Sequence, residues 1–475
     1  MACPKKIRAC VFRAGVAITG IGTGRSCHRR GEAAVWHGPT PHHVKEDIMT
    51  YAFELGAAFA QALDSADPLR KFREHFYISD GLIYMDGNSL GLCSRDAEKG
   101  ILSMLEVWKE HGINMWSIED GKYFLYPSHL ARKMAPLIGA DASEVTVANS
   151  TTVNIHQAFA TFYRPVGSRN RIIVDGLNFP TDRHAVDSQV LSRGLDPQQV
   201  IKVVASEDGR TVSEDAIIAA MTDDVCMALF PSVYYRSAQL LDMKKVTDAA
   251  RSRGIIIGWD LCHSIGSVPH DFAALDADFA VWCNYKYLSG GPGAAAGLYI
   301  NRKHFGTTPG LAGWQGNVKE TLFELRQKHE PAHSADGWLI GTPPMLAMAG
   351  LDGVLDIFHE AGMAAIREKS LRLTAYLMFL IDRRLAPYGY AVGTPRDDAH
   401  RGGHVALEHD EAYRICKVLK NYKVVPDFRD PNVIRLAPTA LYNSYEDIHS
   451  LVDILEKIGA NREYESLSRE RTLVV

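Results

Sequence analysis

With 475 residues the chain can bury a large core and hold two or three domains of ordinary length. Its 52 Lys and Arg against 56 Asp and Glu leave a net charge of -4, which argues against a general affinity for nucleic acid or an anionic membrane and favours a small-molecule ligand. No apolar run reaches the ~18 residues of a spanning helix, and the eight cysteines form no Cys-x-x-Cys pair, so no metal site or disulfide framework is expected and a soluble, cytoplasmic protein in a reducing compartment fits.

Residues 1–48 read as a disordered extension apart from the rest: Arg, Gly, Cys and His dominate, and no acid precedes Glu32. A transit peptide, a disordered tail and a start codon placed too early all share that composition. Within it Gly20-Ile21-Gly22-Thr23-Gly24 resembles a dinucleotide fingerprint, but Arg25 and Ser26 stand where the third glycine should fall, and the motif is set aside. From Met49 onward helical periodicity over 51–63 and 97–108 flanks the turn Asp86-Gly87-Asn88-Ser89-Leu90-Gly91. Apolar strand candidates at 145–148, 171–174, 200–204, 226–230, 255–259 and 279–282 then alternate with helical segments, which predicts an α/β domain on a largely parallel sheet. After Gly341-Thr342-Pro343-Pro344 the pattern changes to long helices over 345–359 and 364–385, a strand at 404–407, a helix at 411–419 and a strand at 433–436. The predicted division is an N-terminal arm of the small domain (49–90), a large domain (91–344) and a smaller C-terminal α+β domain (345–475).

In open α/β sheets ligands bind beyond the carboxyl ends of the strands, so the polar residues that follow the apolar runs are the candidates for chemistry. Asn149-Ser150-Thr151-Thr152 opens a helical pattern, where hydroxyls and free backbone N–H groups suit a phosphate; a plain N-cap is the competing role. Asn178-Phe179-Pro180-Thr181-Asp182 offers an aromatic to stack on a ring and a carboxylate to meet it, or simply a turn. Asp260 ends the run Ile255-Ile256-Ile257-Gly258-Trp259, where an unpaired acid would be costly. Pairing with a pyridinium nitrogen removes that cost and makes pyridoxal phosphate an electron sink. His263 beside it could pack on the ring or be structural. Lys286, in Trp282-Cys283-Asn284-Tyr285-Lys286-Tyr287, is framed too apolarly for a casual surface lysine. It is the Schiff-base candidate, with burial expected to lower its amine pKa, and a lysine snorkelling from a strand end is the alternative. Tyr285 can bind phosphate or relay a proton.

Together with Gly313-Trp314 these motifs resemble kynureninase, a pyridoxal-phosphate hydrolase of the aspartate-aminotransferase superfamily, over about residues 76–455. The resemblance implies a PLP-dependent transferase fold of type I, class V aminotransferase-like. It also implies hydrolytic cleavage of the Cβ–Cγ bond of L-kynurenine, and of 3-hydroxykynurenine, to anthranilate or its 3-hydroxy form and L-alanine, in tryptophan catabolism and NAD biosynthesis. By motif it implies Lys286 and Tyr285 as catalytic, Asp260 on the ring nitrogen, and His263, Phe179 and Asp182 around the ring. Thr151, Thr152 and Tyr285 would hold the phosphate, with Trp314 and Thr342 completing it partly from the second subunit of a homodimer. Arg435 would grip the substrate α-carboxylate, and Ser89 and Trp116 would line the aryl end. Pro231, Gln315-Gly316-Asn317 and Thr342 depart from the pattern of many relatives, which leaves the preference between the two kynurenines open. Rival readings are a class V aminotransferase, a cysteine desulfurase and an inactive cofactor-binding scaffold. A desulfurase needs a reactive cysteine on a mobile loop, yet none lies between Cys283 and Cys416, and Cys416 falls in a helical pattern.

Overall fold

The computed structural model describes residues 51–470, so the readings of the 1–48 extension and of the Gly20 to Gly24 motif lie outside the described residues. The central sheet has seven strands: β1 (Val145–Val147), β2 (Arg171–Asp175), β3 (Ile201–Val204), β4 (Val225–Pro231), β5 (Ile256–Asp260), β6 (Phe279–Trp282) and β7 (Gly297–Ile300). Their order is β3-β2-β4-β5-β6-β7-β1, and β7 alone runs against the others. Strands β4 to β6 read as near-continuous apolar runs because helices cover both faces of the sheet.

Six of these strands fall where apolar runs predict them; β7 does not, because Gly297-Leu298-Tyr299-Ile300 follows Gly293-Ala294-Ala295-Ala296 and has the composition of a loop. Its glycine is a packing requirement, since a Cβ on Gly297 would stand 1.9 Å from the Trp282 ring. The parallel strands all deliver their carboxyl ends to one edge, and the amino end of β7 reaches that same edge. Asn149 after β1, Asn178 after β2, Pro231 at the end of β4, Asp260 at the end of β5 and Lys286 after β6 are gathered there by topology alone.

A second, antiparallel sheet comprises β8 (Ala391–Val392), β9 (Val405–Glu408), β10 (Asp427–Arg429) and β11 (Val433–Leu436) in the order β10-β11-β9-β8. Its core draws on Ala60, Ile83 and Met85 from the start of the described chain as well as on residues between Leu373 and Ile458. The helix Met345–Ala361 lends Met348, Leu351, Val354 and Phe358 to the core of the larger sheet. The two cores meet along the helix Met363–Leu380, whose Ile366 joins the first and whose Leu373 and Leu377 join the second. This is the predicted arrangement of a largely parallel α/β sheet with a smaller C-terminal α+β layer.

The loop between the two cores explains its own glycines. Gly91 donates its N–H to the Tyr285 carbonyl at 2.8 Å, and a Cβ there would lie 2.3 Å from the Lys286 carbonyl oxygen. Gly87 is pressed equally close to the Thr439 hydroxyl, at 2.3 Å. Only a chain without side chains at these points lays Asn88 and Ser89 over the strand ends.

Candidate active site

At the carboxyl edge of the central sheet lies a cavity of about 350 Å³. Ten of the residues singled out in the sequence line it: Ser89, Thr151, Thr152, Phe179, Asp182, Asp260, His263, Tyr285, Lys286 and Arg435. They arrive from both sheets and from the loop between them, so only the folded chain assembles them.

Thr151 and Thr152 open the helix Thr151–Phe162, and Ser150 is its N-cap, accepting from the Val153 N–H at 3.4 Å. Capping role and phosphate role are thus divided between neighbours: Ser150 serves the helix, and the two threonines stand at its positive end facing the cavity. Thr152 also shares a hydrogen bond with Thr181 at 2.8 Å.

Asp260 is 5% exposed and accepts the Cys262 N–H on Oδ1 at 2.7 Å. Asp182 is buried too; Asn178 donates to its Oδ2 at 2.7 Å, and its Oδ1 has no partner. Burial, with the Asp260 charge adding to it, holds the Asp182 carboxyl well above the usual range. The Lys286 ammonium donates to His263 Nε2 at 3.0 Å, which leaves the ring proton on Nδ1, a buried atom with no acceptor. Burial, followed by the charges of Lys286 and Arg435, keeps that imidazole well below its ordinary pKa, hence neutral.

Burial also works against the Lys286 ammonium, but the acidic groups of Cys283, Cys262 and Asp260 around it outweigh burial, so the amine sits above its ordinary pKa. The sequence expectation of a pKa lowered by burial is corrected here, because the facing acids dominate. Burial raises the Tyr285 phenol, which therefore stays a proton donor at neutral pH. The Phe179 ring is 41% exposed, with its centroid 6.0 Å from Lys286 Nζ.

The unpartnered atoms set the terms for a ligand. Asp182 Oδ1, His263 Nδ1 and both polar atoms of Asn88, all on residues that line the cavity, are buried without hydrogen bonds, a cost that a polar ligand would relieve. A planar ring bearing a cationic N–H toward the carboxylates and an aldehyde toward Lys286, with a phosphate at the helix end, meets these demands. Pyridoxal phosphate has that shape and that chemistry.

At the opposite side Arg435 is 1% exposed. It is paired with Asp427 and donates to the Tyr235 carbonyl at 2.9 Å and to Ser89 Oγ at 2.8 Å. Ser89, expected at the aryl end, is thereby tied to the arginine. Sequence reasoning missed Asn88, Tyr235 and Arg429, all of which line the cavity. For Arg429 a signal existed: Asp427 and Arg429, two apart, share one face of a strand that leads directly into a turn and on to Arg435.

Trp116, Trp314 and Thr342 do not line the cavity of the single chain. Trp116 packs edge-on against Phe124 at 6.4 Å, Phe124 lies 5.6 Å from Phe323, and Phe323 lies 5.6 Å from Trp314, so the two tryptophans belong to one aromatic row. Thr342 is exposed.

The family model for the kynureninase C-terminal domain matches residues 366–455. A kynureninase of Geobacillus thermodenitrificans is 50% identical over 423 residues, covering 89% of this chain and 99% of its own length. One of Bacillus thuringiensis is 51% identical over 422 residues, with the same coverage. Among solved structures, the cystine C-S lyase C-DES with its product cysteine persulfide superposes with a TM-score of 0.69 at 17% identity, over 79% of this chain and 98% of that one. A cysteine desulfurase of Thermococcus onnurineus gives 0.70 at 15% identity, over 82% and 98%. These two share the fold, which is that of the pyridoxal-phosphate-dependent enzymes, but Cys416 here is fully buried in the helix Ala412–Asn421, where a desulfurase nucleophile could not work. Half the residues in common over nearly the full length of its relatives make the chain a member of the kynureninase family.

Proposed function

We propose that the protein is a pyridoxal-phosphate-dependent hydrolase that cleaves L-kynurenine between Cβ and Cγ, releasing anthranilate and L-alanine, and that it also accepts 3-hydroxykynurenine. The observation that carries this reading is one cavity holding a buried lysine and carboxylates on one wall and a buried arginine on the other. The bound cofactor supplies an electron sink and an aldehyde that joins the lysine amine. Asp260, fixed by the Cys262 N–H, would hold a proton on the ring nitrogen, and Asp182, its carboxyl pushed well upward by burial, stands close to it. Phe179 packs against the ring. Thr151, Thr152 and Tyr285 bind the phosphate.

Arg435 orients the substrate through its α-carboxylate. With the cofactor bound, the Lys286 amine would take the Cα proton and would return a proton at the next step. Neutral His263, bonded to Lys286 Nζ at 3.0 Å, keeps that nitrogen aimed across the ring. Tyr285, held protonated by its surroundings, is the acid that serves the alanine fragment after water has added to the γ-carbonyl.

The reaction belongs to tryptophan catabolism, upstream of NAD biosynthesis. The cytoplasm suits it, because all five cysteines among the described residues are free thiols. No helix among the described residues is long and apolar enough to cross a membrane.

Mixing the cofactor-loaded protein with L-kynurenine is expected to release fluorescent anthranilate, and with 3-hydroxykynurenine its hydroxylated counterpart. Visible cofactor absorbance without either product would sink the reading.

The working unit is proposed to be a homodimer whose sites are completed by the partner's Trp314 and Thr342. Ile113, Trp314, Phe323 and Leu325 are all exposed apolar side chains, more than a solitary surface favours. Sedimentation is expected to give twice the chain mass at micromolar concentration. A Trp314→Ala variant is expected to bind the cofactor more weakly; a fully active monomer would refute the shared site.

A further inference from the structure

The hairpin of β10 and β11 sets Asp427 directly opposite Arg435, with Arg429 two residues along the same strand and so on the same face. The two guanidiniums share one carboxylate: Arg435 reaches Asp427 Oδ2 through Nε and Nη2, and Arg429 Nε lies 2.9 Å from that same oxygen. They also share one ring, at 6.0 and 5.9 Å from the centroid of Tyr235. Their hydrogen-bonding states are opposite.

Most of Arg435 is engaged. Nε donates to Asp427, Nη2 to Ser89 and Nη1 to the Tyr235 carbonyl, and Nη2 is also ion-paired with Asp427, so three of its five N–H groups make hydrogen bonds. A two-point grip on a carboxylate needs two N–H groups on one edge. Arg429 lines the same cavity yet makes no hydrogen bond, and its Nε–H is buried without an acceptor even beside Asp427, because the alignment is poor.

The charge count points the same way. Asp86, whose Oδ1 is buried and unpartnered, lies close enough to Asp427 and both arginines to feel all three charges. Without Arg429 the cluster holds one cation against two carboxylates and repels an anionic substrate group. With Arg429 the repulsion is offset.

We propose that Arg429 is a second substrate-binding residue, whose guanidinium, ion-paired with Asp427 but making no hydrogen bond, joins the N–H groups left on Arg435 in clamping the α-carboxylate of an amino-acid substrate. The inference deepens the proposed function in needing an α-amino acid in this cavity, but it does not need that amino acid to be kynurenine.

The test uses the cofactor-loaded enzyme and two small probes, L-alanine and L-alaninamide, which differ in the carboxylate alone and are titrated by the change in cofactor absorbance. In Arg429→Gln, L-alanine is expected to bind about ten- to a hundredfold more weakly, the effect of losing a charged hydrogen bond, while L-alaninamide is unchanged. The KM for L-kynurenine is expected to rise by the same factor with kcat within about threefold, and Arg429→Lys should recover part of the loss. Unchanged L-alanine binding in a folded, cofactor-loaded Arg429→Gln overturns the clamp, as does equal weakening of acid and amide, which would mark a merely structural arginine. Absence of anthranilate from the unsubstituted enzyme would defeat the kynurenine reading alone, because the alanine titration does not depend on it.

Discussion

Lys286→Ala is expected to lower kynurenine turnover by at least about a thousandfold, since one substitution removes the covalent anchor and the base that moves the Cα proton. The loss should be chemical and not structural. Lys286 contributes no ion pair to the fold; its one polar contact from the amine is to His263, and the strands on either side of it are held by backbone pairing and apolar packing. The variant should therefore unfold at nearly the same temperature as the parent, bind the cofactor without the visible absorbance that the lysine linkage gives, and regain some turnover in the presence of a small primary amine. A Lys286→Ala protein that keeps that absorbance would refute the assignment.

Asp260→Asn is expected to reduce turnover by about a hundred- to a ten-thousandfold while leaving the lysine linkage in place, because removing one partner of a buried charge pair costs about 3–5 kcal/mol. An amide in that position keeps the size of the side chain and loses the charge that holds a proton on the ring nitrogen. Asp182 cannot substitute. It sits in the same wall with its carboxyl pushed well upward by burial, which the variant leaves in place, and Asn178 occupies one of its oxygens. Asp260→Glu should recover part of the loss if charge is what matters. Turnover within tenfold of the parent in Asp260→Asn would rule out the pairing.

The residues legible in the sequence are those with an abrupt mismatch to their surroundings. Asp260 after five mostly apolar residues and Lys286 amid Trp282, Tyr285 and Tyr287 stand out because burial of a lone charge is costly. The parallel strands are legible for the same reason: sheets covered on both faces must be apolar throughout. What escapes is structure that depends on close approach instead of pattern. The strand Gly297–Ile300 has a glycine because Trp282 fills its place, and the helix Pro180–Leu191 lacks a clear apolar stripe, so its first turn reads only as a loop. Arg429 escapes because its meaning lies in pairing across a hairpin, and the packing of Trp116 and Trp314 escapes because their neighbours are a row of aromatics distant in sequence.

The cavity draws its two walls from opposite ends of the chain's synthesis. As the ribosome extends the polypeptide, every strand-end group proposed to hold the cofactor has emerged by Ala296, whereas the Asp427 to Arg435 hairpin comes more than a hundred residues later. A nascent chain can thus possess the cofactor wall well before it can recognise an acid, and alterations of the hairpin can retune which acids are accepted while the strand-end groups that carry the chemistry stay as they are.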